Sequence, residues 1–169
     1  MSYPATGTMD PDDTALASAF HLRAGLLAWQ ASDPELPRTS LAKAFRDNWD
    51  KRIGKAMFGG VWSISMARTN LQHPASRAAL AIPRREWTGA SVTVEHAVPI
   101  RILFERFLEA EEASRMRRVL ETYRVAVVTR EEDARLRAAG LTSSMPSGWR
   151  WGDCPNARWE AVGIVVEGL

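Results

Sequence analysis

A chain of 169 residues with 46% apolar and 25% charged residues and a net charge of +2 has the make-up of an ordinary globular domain, long enough to bury a core without cross-links. No apolar run approaches the roughly 18–20 residues of a membrane span, and Met1 to Asp13 has neither the basic opening nor the apolar centre of a signal peptide, so the expectation is a cytoplasmic protein with no membrane partner. Cys154 is the only cysteine, which excludes an internal disulfide and a structural zinc cage built from cysteines, leaving hard, oxygen-bound cations as the metals to consider.

Residues 1–13, with Pro4, Gly7, Pro11 and three aspartates, read as a flexible leader ahead of a single domain over 14–169. Thr14 opens a helix to about Ala31 on the stripe Leu16, Phe20, Ala24 and Leu27, with His21 as a surface histidine. Pro34 and Pro37 force a turn. Ser40 offers the N-cap of a second helix to Phe58, in which Leu41, Phe45, Trp49, Ile53 and Ala56 form an apolar stripe and Lys43, Lys51 and Lys55 an opposite basic face; Gly59-Gly60 ends it. The alternation from Val61 to Met66 predicts a half-buried strand. A short helix from Pro74 to about Ala81 follows, with His73 in the loop before it.

After a turn at Thr88-Gly89-Ala90, Ser91 to Val98 is strand-like. Ile100, Leu103, Phe104, Phe107 and Leu108 keep helical spacing, and a second helix starts near Ala113 with Met116, Val119, Leu120 and Tyr123 inward and Arg115, Arg117 and Arg118 outward. Val125 to Thr129 reads as a buried strand. Thr129 then caps a helix over Arg130 to Ala139, with Glu132 placed for a capping box and Gly140 as its stop. Met145 to Gly152 is turn-rich and holds Trp149 and Trp151, and Trp159 to Val166 is a candidate closing strand. These indoles, interleaved with Arg150 and Arg158, suit either a platform for bases and phosphates or the sealing of a small core. The sum is an α+β fold, mainly helical over 14–83, packed on a small sheet.

Charge is unevenly spread. Arg38 to Arg77 holds eight basic residues against Asp47 and Asp50, whereas beyond position 80 the basic residues are all arginine and equal the acids at 13 each. A local positive face is the footprint of a nucleic-acid binder. The serine-nucleophile elbow, the phosphate-binding P-loop and the dinucleotide fingerprint are all absent from the sequence.

What remains is Val94-Glu95-His96-Ala97-Val98-Pro99, a carboxylate beside an imidazole at the end of a strand stopped by proline. Neighbours on a regular strand point to opposite faces, so the two converge only where the strand ends or kinks. The six residues resemble the first strand of the HNH (ββα-metal) endonucleases. In that family a second strand and a helix complete the centre, places that Val125–Thr129 and Arg130–Ala139 fill here, although about 25 residues of helical pattern replace the usual short loop.

The resemblance implies a metal-dependent nuclease acting on nucleic acid, with DNA the first expectation. His96 would be the general base, Glu95 and Asp133 the ligands of Mg²⁺ or Mn²⁺ with Glu132 as substitute, and Arg84, Arg85 and Arg130 the phosphate contacts. Cutting both strands of a duplex favours a homodimer. The alternative is a non-catalytic module that binds nucleic acid or docks a protein through the basic helix 40–58.

Overall fold

The structure is a computed structural model and describes residues 13–58, 63–71 and 73–167. The leader to residue 12, Gly59-Gly60 and Val61-Trp62 lie outside the described residues. The fold is α+β, a helical N-terminal part on a small mixed sheet, as the sequence predicts.

Helix α1 spans Asp13–Ser32 and buries Ala15, Ala19, Leu22 and Leu26. The predicted stripe is therefore displaced by about one position, because apolar residues surround this helix and periodicity selects no face. Helix α2, Arg38–Asn48, starts from Pro37 and not from Ser40, since proline's fixed φ suits the beginning of a helix. It passes into a five-residue π-helix, Trp49–Ile53, and then into α3, Gly54–Phe58.

The stripe itself explains the wide turn. Leu41, Phe45, Trp49 and Ile53 are all buried, yet they recur strictly every four residues, a spacing that drifts about 40° per step around an ideal α-helix. One wide turn, closed by Gly54 N–H donating to the Trp49 carbonyl, takes up the drift and keeps Trp49 and Ile53 in the core. Phe45 and Trp49 anchor a ring cluster with Phe104, Phe107 and Tyr123 at centroid spacings of 4.8–5.6 Å, within the range of favourable aromatic pairs.

The predicted strand ending at Met66 is instead helix α4, Ile64–Thr69. Ser63 is extended and its hydroxyl accepts the Met66 N–H, so the serine acts as an N-cap where alternation suggested a strand. The predicted helix from Pro74 is divided into strand β1, Ala75–Ser76, and helix α5, Arg77–Leu80, again capped by a serine, Ser76. A short 3-10 turn, Arg84–Glu86, leads to strand β2, Val92–His96.

Helices α6, Ile100–Glu109, and α7, Ala113–Thr122, are divided where predicted and bury the predicted sides. Strand β3, Val125–Thr129, and helix α8, Arg130–Ala138, follow, with the Thr129/Glu132 capping box formed. The predicted strand 159–166 is not one element: it divides into a one-turn helix α9, Ala157–Glu160, a turn, and strand β4, Val166–Glu167.

The sheet order is β2-β3-β1-β4. Strands β2 and β3 are antiparallel from Val92 opposite Thr129 to His96 opposite Val125, β1 is parallel to β3, and β4 is antiparallel to β1. Alternation gives the sheet two different covers. Val125 and Val98 join the helical core of α1, α2, α6 and α7, while Ala126, Val128 and Ala97 pack with Leu136 and Trp159 of α8 and α9. Among the described residues no helix is long and apolar enough to cross a membrane.

Candidate functional site

Glu95 pairs with Ala126 and His96 with Val125, so the pleat sends the two side chains to opposite faces of the sheet. His96 faces the helical layer. Its Nε2 lies 3.0 Å from Asp50 Oδ1, and Asp50 comes from the π-helix, whose wide turn buries Trp49 and Ile53 while turning the intervening carboxylate to the sheet. Tyr123, one residue past α7, donates its hydroxyl to the same Asp50 oxygen at 2.7 Å, and its ring lies 5.8 Å from the imidazole.

The Asp50 and His96 side chains each retain 20% exposure, so solvent reaches the pair. Among the described residues Nδ1 of His96 meets no hydrogen-bond partner. Burial opposes ionisation of Asp50, but the hydrogen bond and charge of His96, the Tyr123 hydroxyl and Arg46 outweigh it and hold the carboxyl below its ordinary value. Burial, then the Asp50 charge, pushes Tyr123 well above its ordinary value, so its hydroxyl keeps its proton and donates.

Glu95 faces the other way. Its carboxylate is bound by the guanidinium of Arg158, which is fully buried and also donates to the backbone carbonyls of His96, Ala97, Leu141 and Thr142. Asp133 is paired with Arg137 at 3.0 Å and Arg130 at 3.8 Å. Glu132, the substitute ligand, is buried in the capping box, taking the Ser76 hydroxyl at 2.5 Å and the Thr129 N–H at 2.8 Å.

The two carboxylates expected to share a cation, Glu95 and Asp133, are thus each engaged by arginine, a neighbour that repels a divalent ion. Among the described residues no group of three His, Cys, Asp or Glu side chains is placed to hold a metal ion. In this arrangement the carboxylates that the HNH resemblance assigns to Mg²⁺ or Mn²⁺ are held by arginine.

The arginines also divide. Arg84 donates to the carbonyls of Ala67, Asn70 and Leu71 and stacks on Trp87 at 4.8 Å, so it ties α4 to the sheet and is not free for phosphate. Arg130 holds the Gly89 carbonyl at 2.6 Å. Arg85 is exposed beside Glu86, and Arg130, although tied to Gly89, is exposed as well. Arg158 is a buried strut and Arg150 is exposed.

Asp50, Tyr123 and Gly54 are the residues of this site that the sequence reading passes over. A Cβ on Gly54 would stand 2.9 Å from the Tyr123 hydroxyl oxygen, so the glycine makes room for the group that holds Asp50. The available signal was slight: Asp50 is one of two acids in the basic stretch and follows a stripe residue directly. Set against known protein families, curated proteins and solved structures, the chain matches none.

Proposed function

We propose that this protein cleaves phosphodiester bonds of nucleic acid, with His96 as general base held by Asp50. The observation that supports this reading is the 3.0 Å His96–Asp50 contact at a solvent-reached position. With Nε2–H directed at the carboxylate, Nδ1 carries the lone pair and takes the proton of an attacking water. The water oxygen bonds to phosphorus, the bond to the 3′ oxygen breaks, and the departing oxygen takes a proton from solvent. Asp50 fixes the tautomer and stabilises the imidazolium as it forms. Tyr123 is a positioning residue that holds the carboxylate.

Lys51, Arg52 and Lys55, exposed on the same helical segment as Asp50, supply cations for the flanking phosphates. No step passes through a Glu95–Asp133 metal centre, since arginines engage both carboxylates. Removing a general base of this kind costs on the order of 10²–10⁴ in rate. The test is incubation of wild type and His96→Ala, purified identically, with plasmid DNA and with RNA in Mg²⁺, Mn²⁺ or EDTA. Wild type nicks or degrades one substrate and His96→Ala loses the activity while still binding; equal activity in both preparations sinks the reading.

A second reading, nucleic-acid or protein binding without catalysis, is favoured by those exposed cations, which have no ion-pair partner among the described residues. It expects charge reversal at Lys51 and Lys55 to weaken binding, with no cleavage by wild type.

A further inference from the structure

The tryptophans of the last thirty residues suit either of two roles, and the structure separates them. Trp159 is buried against the sheet, whereas Trp151 lies at the rim of the α6–α7 pair. The Trp151 loop is built for a fixed shape. Gly148 and Gly152 have φ of +84° and +104°, a region open to glycine. The Trp149 indole N–H donates to the Cys154 carbonyl at 3.0 Å, and the Asp153 carboxylate accepts the Arg150 N–H at 2.7 Å. The two indoles meet edge to face at 6.2 Å.

This loop closes one side of a surface cleft of about 300 Å³ whose other walls come from the end of α6 and the start of α7. Arg106, Arg115, Arg118, Ser114, Glu109 and Trp151 line it. The Arg106 guanidinium lies 5.7 Å from the Trp151 ring centroid and is bonded to Glu109 at 2.9 Å, which accounts for the one carboxylate. Arg115 and Arg118 are exposed, and their guanidiniums engage no hydrogen-bond or ion-pair partner among the described residues.

Three guanidiniums against one carboxylate select an anion, and arginine's planar fork suits the phosphate group. The indole, together with the Arg106 plane, offers a stacking surface for a flat ring. The volume stands at the lower end for small-ligand sites and suits one nucleotide.

We infer that this cleft binds a nucleoside phosphate, either free or as one unit of a strand, with its phosphate on Arg115 and Arg118 and its base against the Trp151–Arg106 pair. None of the residues lining the cleft belongs to the Asp50–His96–Tyr123 group, so the inference does not rest on cleavage by His96.

Isothermal titration calorimetry of the full chain tests it, with adenosine 5′-monophosphate, a single-stranded oligonucleotide and inorganic phosphate as three separate titrants. The variants are the double change Arg115→Glu with Arg118→Glu, the milder Arg118→Gln, and Trp151→Leu, each checked for fold by circular dichroism. Binding of the monophosphate assigns the cleft to a free nucleotide, and binding of the oligonucleotide alone assigns it to a strand. In either case the double variant and Trp151→Leu weaken binding at least tenfold, and Arg118→Gln, which keeps the side chain's bulk, weakens it severalfold even where the double variant fails to fold. The inference is overturned by the absence of binding to both nucleotide titrants, by wild-type affinity in Arg118→Gln and Trp151→Leu, or by inorganic phosphate binding as tightly as the nucleotide.

Discussion

His73 is a base whose proton affinity the fold suppresses. It is 4% exposed and among the described residues neither ring nitrogen has a hydrogen-bond partner; burial first, and then the charge of Arg84, lowers its pKa to about 4. An unfolded histidine titrates near about 6.5. Between those values the unfolded chain binds a proton that the native chain excludes, so stability rises with pH across this window. The contribution is complete above the unfolded value and is lost as pH falls towards the folded one, on the order of 3 kcal/mol in all. Urea denaturation of wild type and His73→Leu at pH 7 and at pH 4.5 measures it: wild type loses about 2–3 kcal/mol more than the variant over that interval, and parallel losses contradict the assignment. At this scale the sequence exposed Glu95 and His96 as a pair worth examining but could not show their partners. Asp50 lies 46 residues before His96 and Arg158 lies 63 after Glu95, and no local pattern encodes contacts made only when distant elements dock. The partners of Arg84 are equally hidden, because the Ala67, Asn70 and Leu71 carbonyls it holds lie 13 to 17 residues before it.

The π-helix shows how an element can serve the core and the site together. π turns are rare and recur at functional positions; this one settles a stripe repeating every four residues and in doing so delivers Asp50. Its end depends on Gly54, whose φ of −58° is ordinary helical backbone, where alanine normally gains about 1 kcal/mol over glycine. Here the added methyl would meet the Tyr123 hydroxyl at 2.9 Å. Gly54→Ala is therefore expected to give no stabilisation in the wild-type background, and about 1 kcal/mol in Tyr123→Phe, where the obstructing oxygen is gone. Thermal melts of the four proteins in that double-mutant cycle decide it, and an equal effect of the alanine in both backgrounds refutes the steric account. Elements with several agreeing signals were legible. Strand β3 is an uninterrupted β-prone run closed by a helix cap, and α8 and the division of α6 from α7 combine helical spacing with a cap or a break. Helices α4 and α9 are one or two turns long, too short for periodicity, and only the serine cap hinted at α4.

Across the whole molecule, Arg158 joins parts that share no sequence neighbourhood. From the one-turn α9 its guanidinium reaches Glu95 and the backbone oxygens at the end of β2 and at Leu141-Thr142. Removing one member of a buried ion pair leaves the other charge without compensation and typically costs 3–5 kcal/mol. Arg158→Ala is expected to lose about that much in chemical denaturation, whereas a loss below about 1 kcal/mol would show that water replaces the guanidinium without penalty. The α+β class was legible because helical spacing dominates the first third of the chain and β-prone runs gather after it. The division of labour between the two faces of the sheet was not, since the sequence alone does not say which neighbours cover each side of a strand.

The α6–α7 segment bears on how the two longest strands are brought together. Strands β2 and β3 pair antiparallel over five positions, yet the segment between them is too long for a tight hairpin turn. Two helices that fold back on one another hold the ends of that segment together, which lowers the entropic cost of closing the loop between the strands. The helical hairpin thus acts as the turn of a greatly enlarged β-hairpin. Because α7 ends beside Tyr123, the closure that zips the sheet also delivers the hydroxyl that steadies Asp50.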